Sequence, residues 1–159
     1  MKKLILLCLL AAGACAAEDT KEYSADAYTV CSACHLASGE GIPGAFPPIR
    51  NRAASIADLE GGREYLISVV SSGLMGTLEA DGMTYMGVMP GHQGSMSPET
   101  IANALNYLVF SLVDEAPDVE PFTGDEVRVQ QESSESASPA TAASMRGKLT
   151  DQHADKWPR

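Results

Sequence analysis

The stretch Cys31-Ser32-Ala33-Cys34-His35 decides how this chain is read. Two thiols three positions apart can add to the two vinyl groups of one porphyrin, and the adjoining imidazole can rise from the same turn to an axial position on its iron. Other chemistries use two cysteines at this spacing. A thioredoxin-like redox pair opens a helix after a βαβ strand, and no such strand is legible before Cys31. A zinc site needs a second ligand pair at a fixed spacing, whereas the remaining cysteines, Cys8 and Cys15, fall in a stretch with the features of an export signal. The pattern predicts covalent haem c.

Export is the expected companion of that chemistry. Lys2 and Lys3 form a basic start, Leu4 to Leu10 form an apolar run too short to cross a bilayer, and small residues follow, so residues 1–16 read as a signal peptide. Ala14-Cys15-Ala16 fits one cleavage pattern. Ala12-Gly13-Ala14-Cys15 resembles a lipobox in which Cys15 would carry lipid. Both place the chain in an oxidising, periplasmic compartment, soluble in one case and lipid-anchored to a membrane in the other.

The 159 residues carry a net charge of −10, and losing Lys2 and Lys3 takes this to −12. Between Glu18 and Asp114, 12 acids face only Lys21, Arg50, Arg52 and Arg63, a net of −8. Such a surface argues against nucleic acid or anionic lipid as a partner and for one with a basic docking face, although solubility alone accounts for the same sign. The length suits one core.

Ser24 can cap a helix through Ala27 and Tyr28 toward Cys34, which delivers the chain to the haem. The stretch from Ala37 to Ile49 is rich in Gly and Pro and has no period, so it predicts a loop wrapped over the face that His35 occupies. A ligating imidazole needs its second nitrogen satisfied, and a carbonyl near Pro47 or Pro48 is the expected partner, with Phe46 and Ile49 as dry packing. Asp58 to Ser72 predicts a scaffold helix presenting Tyr65, Leu66, Val69 and Val70, stopped by Gly73. Asp81-Gly82 suits a two-residue turn between Thr77–Ala80 and Met83–Met86, hence a small hairpin.

A six-coordinate iron needs a second ligand. Met75, Met83, Met86, Met89 and Met96 are candidates, although most methionines merely fill cores. Met89 is favoured because Pro90 and Gly91 place it in an expected irregular loop; Met86 is second, and His92 would give a bis-His haem. Ser97-Pro98-Glu99 then opens a helix with Ile101, Leu105, Leu108 and Leu112 on one face, running to about Val113. Ala104 on it allows close approach of the segment carrying Tyr28.

Over 18–114 the chain resembles the class I bacterial cytochromes c. The resemblance rests on Cys31-Ser32-Ala33-Cys34-His35, on Gly39 through Pro48, on Tyr85-Met86-Gly87-Val88-Met89-Pro90, and on Asn106-Tyr107-Leu108 in the last helix. It implies an all-α fold with one small hairpin before the distal Met loop, thioethers at Cys31 and Cys34, and His35 and Met89 as axial ligands. The hairpin and Met stretch are similar to a branch that donates electrons to periplasmic copper enzymes, including copper nitrite reductases, or to terminal oxidases, with a membrane quinol-oxidising complex as source. Two features depart from the family. Tyr28 stands three residues before Cys31 where four is commoner, and no lysine occurs between Lys21 and Lys148, so docking is expected to be reversed in polarity or apolar.

From Glu115 the composition turns to Ser, Ala, Pro and acids, which predicts an acidic extension over 115–159, mostly disordered. Two short helices can still be read in it, one capped by Thr123 and one opened by Ser138-Pro139, with Phe122, Val127, Val129, Met145, Leu149 and Trp157 able to dock. The expected function is a single-electron carrier, not an enzyme. Its competitor is a haem enzyme or small-gas sensor with an open or bis-His iron, for which the chain supplies no polar constellation beyond His92 and His153. A third reading makes the tail an assembly device and the haem domain its anchor.

Overall fold

The computed structural model describes residues 23–133 and 138–158, so the expected signal peptide, with Cys8 and Cys15, lies outside the described residues. A 3-10 turn, Ala25–Tyr28, runs into α1, Thr29–His35; then come α2, Arg52–Ala57, α3, Gly62–Ser72, strands β1, Gly73–Ala80, and β2, Met83–Pro90, α4, Pro98–Asn106, α5, Gly124–Glu132, and α6, Pro139–Gln152. The architecture is helical with one two-stranded antiparallel sheet. Among the described residues, no helix is long and apolar enough to cross a membrane.

Each helix start follows from its sequence. Ser24 accepts the Asp26 N–H, but the segment first winds tightly and becomes α-helical only at Thr29. Ser97 accepts the Thr100 N–H, with Pro98 behind it. The predicted helix over Asp58–Ser72 is shortened at its start: α3 begins only at Gly62, after Gly61 in the left-handed region at φ 79°, and a separate helix that was not predicted, α2, lies upstream of it. Gly62 is required at this junction because a Cβ there would stand 1.8 Å from the Ile56 carbonyl oxygen.

The hairpin is longer than expected, eight residues a side, with Ala80 opposite Met83 and Leu74 opposite Met89. Asp81 at φ 50° and Gly82 at φ 72° form the tight turn that the dipeptide predicts. Its length corrects one expectation: Met89 sits inside β2 rather than in an irregular loop. Successive strand side chains alternate in direction, so the pleat aims Tyr85 and Met89 to one face and Met86 and Val88 to the other. Tyr85 is buried and Met89 partly so, whereas Met86 and Val88 are 83% and 70% exposed.

The core holds Ile67 of α3 and Ile101 and Leu105 of α4 at full burial, with Val109 beyond them. The last core helix widens into a π-helical turn over Tyr107–Ser111 where sequence periodicity predicts an unbroken α-helix. Tyr107 packs on Tyr28 at 5.4 Å between ring centroids, and Phe110 stacks on Tyr23 at the same distance. The contact between α4 and the Tyr28 segment is therefore made despite the shifted aromatic.

The largest difference from expectation lies after residue 114. The segment is folded onto the core where it is described: Phe122, Val127, Ala142, Leu149 and Trp157 are all buried. Thr123 and Glu126 form a capping box for α5, Ser138 and Thr141 one for α6. Arg63 of α3 holds the incoming chain, donating from Nε and Nη2 to the two Glu126 oxygens at 2.8 and 2.7 Å and from Nη1 to the Glu120 carbonyl at 2.6 Å. Its guanidinium lies 4.0 Å over the Phe122 ring. Composition misled because a few large apolar side chains, spaced to meet an existing core, suffice to dock a segment that could not build its own. Val129 is the exception among the six expected docking residues, being 70% exposed.

Candidate functional site

Helix α1 presents Cys31, Cys34 and His35 from its last turns, and Leu36 at φ 64° turns the chain away. The Tyr28 hydroxyl donates to the Leu36 carbonyl at 3.0 Å, which fixes the exit. Beyond it, the Gly/Pro-rich stretch is tightly tied. Gly41 N–H donates to the His35 carbonyl at 3.0 Å, Ile42 and Phe46 exchange N–H···O bonds at 2.8 Å, and Ile49 N–H returns to the Gly39 carbonyl at 2.8 Å. Gly41 is needed in this wrap, since at φ 68° a Cβ would lie 2.3 Å from the Phe46 carbonyl oxygen.

The wrap aims one carbonyl at the imidazole. His35 Nδ1 lies 2.9 Å from the Pro47 oxygen, so Nδ1 carries the proton it donates there and Nε2 keeps its lone pair. His35 is only 8% exposed. Burial holds the imidazole below its ordinary pKa, against an opposing push from the Pro47 bond, which keeps the ring neutral and able to donate to a metal.

His35 and Met89 line the same cavity from two different walls, one on α1 and the other on β2. The cavity holds about 120 Å³ and is walled mainly by apolar groups, among them Pro48, Ile49, Leu66, Val70, Leu74, Leu105 and Leu108. A second lobe of about 310 Å³ opens from it past Cys34, Phe46, Tyr85 and Met86, and shares His35, Pro47 and Met89. His92 is not part of either lining; its N–H returns to the Val70 carbonyl and pins the exit of β2. Met86 reaches the outer lobe alone. The structure thus brings together Cys31, Cys34, His35 and Met89 around one apolar space.

Two cations stand in that wall. Arg146 of α6 lies beside the Tyr65 phenol and sits 5.3 Å from the Trp157 ring. Burial raises the Tyr65 hydroxyl to about 12 even though Arg146 opposes the shift, so it stays a neutral donor. Arg52 of α2 is the other, its side chain 14% exposed. Sequence reading missed Tyr65, Arg146 and Trp157 as cavity residues, because the last two arrive from a segment whose docking no local pattern reveals.

Both thiols are free and half-buried, and burial pushes the Cys31 thiol above its ordinary pKa. Free thiols on one turn, a neutral buried imidazole with an available nitrogen, a thioether opposite and an apolar cavity with cations at its edge fit a metalloporphyrin with carboxylate side chains. No family model matches the chain. It is 40% identical over 130 residues to a cytochrome c-552 of Thermus thermophilus, covering 80% of this chain and 85% of that protein. A second cytochrome c-552 from Thermus thermophilus is 44% identical over 103 residues, 64% of this chain and 78% of that one.

This chain belongs to the cytochrome c-552 family. It is a monohaem class I c-type cytochrome whose cofactor is covalent haem c, and its family are electron carriers. In this cytochrome the residues of the haem-binding motif are those that meet at the cavity, and the extension that closes over it is part of the same folded body.

Proposed function

We propose that this cytochrome is a periplasmic single-electron carrier in which Cys31 and Cys34 hold the haem through thioethers and His35 Nε2 and Met89 Sδ are the axial ligands. The observation that carries the reading is the shared cavity of His35 and Met89, apolar and walled by α3, α4 and β1 between them. When bound, haem c supplies a one-electron iron couple, whose potential a Met thioether raises relative to a harder ligand.

The chain's own contribution is to hold that site still. The Pro47 carbonyl fixes the imidazole's orientation and leaves Nε2 free. Strand pairing of Leu74 with Met89 places the thioether on a regular element instead of a mobile loop. The apolar wall keeps water away, so little rearranges when the charge changes.

Electrons would leave through the open lobe. Around it Met75, Met86, Val88 and Phe46 are exposed, a neutral apolar rim on an otherwise acidic protein. This supports a partner with an apolar contact ringed by basic groups. Copper nitrite reductases and terminal oxidases are the proposed acceptors, and a membrane quinol-oxidising complex the proposed donor.

The test compares optical spectra of the oxidised wild type and Met89→Ala, both matured with haem. The wild type is expected to show the weak sulfur-to-iron band of Met-ligated ferric haem and the variant to lose it. A wild type without the band, or one that binds carbon monoxide rapidly and stoichiometrically once reduced, would instead support an open-iron sensor or enzyme.

A further inference from the structure

The inner face of the hairpin carries a gap. Cross-strand partners share a face, and on the face that Met89 occupies they are Leu74 with Met89, Gly76 with Gly87 and Leu78 with Tyr85. The glycine pair therefore stands between two pairs of large side chains. Gly76 and Gly87 line the outer lobe together with Cys34, His35 and Met89, and a Cβ on either glycine would meet nothing within 4 Å. Glycine at 76 has a backbone reason, since its φ is 106°. Glycine at 87 has no such reason: it sits inside β2, its φ lies outside the left-handed region, and no neighbour crowds it. Glycine weakens a strand interior, and one found there marks a place where a ligand or another backbone comes close.

We propose that at the Gly76–Gly87 pair the haem lies directly against the hairpin backbone, and that these two strands are the electron exit. The proposal rests on the haem-carrier reading and deepens it by naming the route. A side chain at either position would take space from the porphyrin, whereas the bare pair lets peptide groups reach van der Waals contact with it. Outside the pair no further layer covers the strands: the outward-facing neighbours Met75, Met86 and Val88 are 47%, 83% and 70% exposed. Electron transfer weakens steeply with distance. A wall one strand thick therefore favours this route over those through α3 and α4, where Leu66, Val70 and Leu105 back the cavity with buried core. One electron passes from the reduced carrier to an oxidised acceptor, and no bond forms or breaks.

The experiment uses the full haem-loaded chain. Gly87→Val and Gly87→Ala test the contact, read by haem content, the sulfur-to-iron band and the unfolding midpoint. Val is the better strand former, so if Gly87 faces only open space Gly87→Val will raise the midpoint and leave haem content and band unchanged, which overturns the proposal. The expected result is the reverse: less haem incorporated and a weakened band in Gly87→Val, with Gly87→Ala between it and the wild type. Should Gly87→Val fail to accumulate, Gly87→Ala decides by the same readouts. The exit is tested by electron self-exchange between oxidised and reduced copies, followed by NMR line broadening, in Met86→Glu and in Val129→Glu, which adds the same charge at a position on α5 that is 70% exposed. Met86→Glu is expected to slow exchange about tenfold and Val129→Glu to leave it near the wild-type rate. Equal rates in the two variants would place the exit elsewhere and overturn the proposal, with the carrier reading intact. A wild type that matures without haem, or without the sulfur-to-iron band, would overturn that reading itself.

Discussion

The side chain of Asn106 and the backbone of Phe122 bond each other in both directions, Nδ2 donating to the Phe122 carbonyl at 2.9 Å and Oδ1 accepting the Phe122 N–H at 2.7 Å. Both bonds are buried. They satisfy the peptide groups of Phe122, which lies just ahead of α5 with no helix to satisfy them. Asn106→Ala strands that donor and that acceptor, and is expected to destabilise the protein by about 2–3 kcal/mol. Denaturant unfolding of the haem-loaded protein measures it, and a loss below half a kcal/mol would mean that water replaces the amide.

Arg63 secures the same crossing from α3. Its side chain is 23% exposed and that of Glu126 is 32%, so the pair is partly shielded from solvent and its two parallel bonds are charge-assisted. Arg63→Ala should cost about 2 kcal/mol, since it also removes the cap over Phe122. A double-mutant cycle with Glu126→Gln isolates the ion pair, for which about 1 kcal/mol of coupling is expected.

Gly41 links the loop to the iron ligand. Gly41→Ala forces the backbone away from Phe46 and Pro47, and with it the carbonyl that orients His35. The expected result is a protein that still carries haem but has a weakened sulfur-to-iron band and a lowered unfolding midpoint. An unchanged spectrum would show that the Pro47 contact is not needed to set the imidazole.

Asp114 gives the acid limb of stability a specific origin. The Arg50 and Asn51 side chains hydrogen-bond its carboxylate at 2.6 and 2.7 Å, and together they hold its pKa below the ordinary value. A carboxyl with a lowered folded-state pKa stabilises the protein fully above its unfolded value near 3.8, and that stabilisation is lost as pH falls through the lowered folded value. Asp114→Asn should therefore lower the melting temperature at pH 7 and make little difference at the acid end. Thermal melts across that range check it; equal losses at both ends would assign the effect to geometry rather than charge.

The haem site was legible in the sequence because its chemistry is written in consecutive residues. Cys31, Cys34 and His35 share one helical turn, and the need of a ligating imidazole for a second bond pointed to a carbonyl near Pro47. The Asp81-Gly82 turn and the starts at Ser97, Thr123 and Ser138 were equally local, set by backbone dihedrals and caps a few residues long. Met89 was singled out for a loop it does not occupy, and what puts it at the cavity is the pleat of a longer strand.

Local chemistry, then, determined the cofactor, its attachment, the turns and the helix starts. Tertiary structure alone decided the rest. Which side chains of a Ser- and Ala-rich segment are buried depends on a surface formed elsewhere: Phe122 finds Asn106 from 16 positions away, and Trp157 meets Tyr65 with ring centroids 6.2 Å apart. Arg52 likewise bonds Asp81 and the Pro158 carbonyl, 29 and 106 positions away. Such pairings are fixed by packing of the whole chain, which no window of neighbouring residues contains.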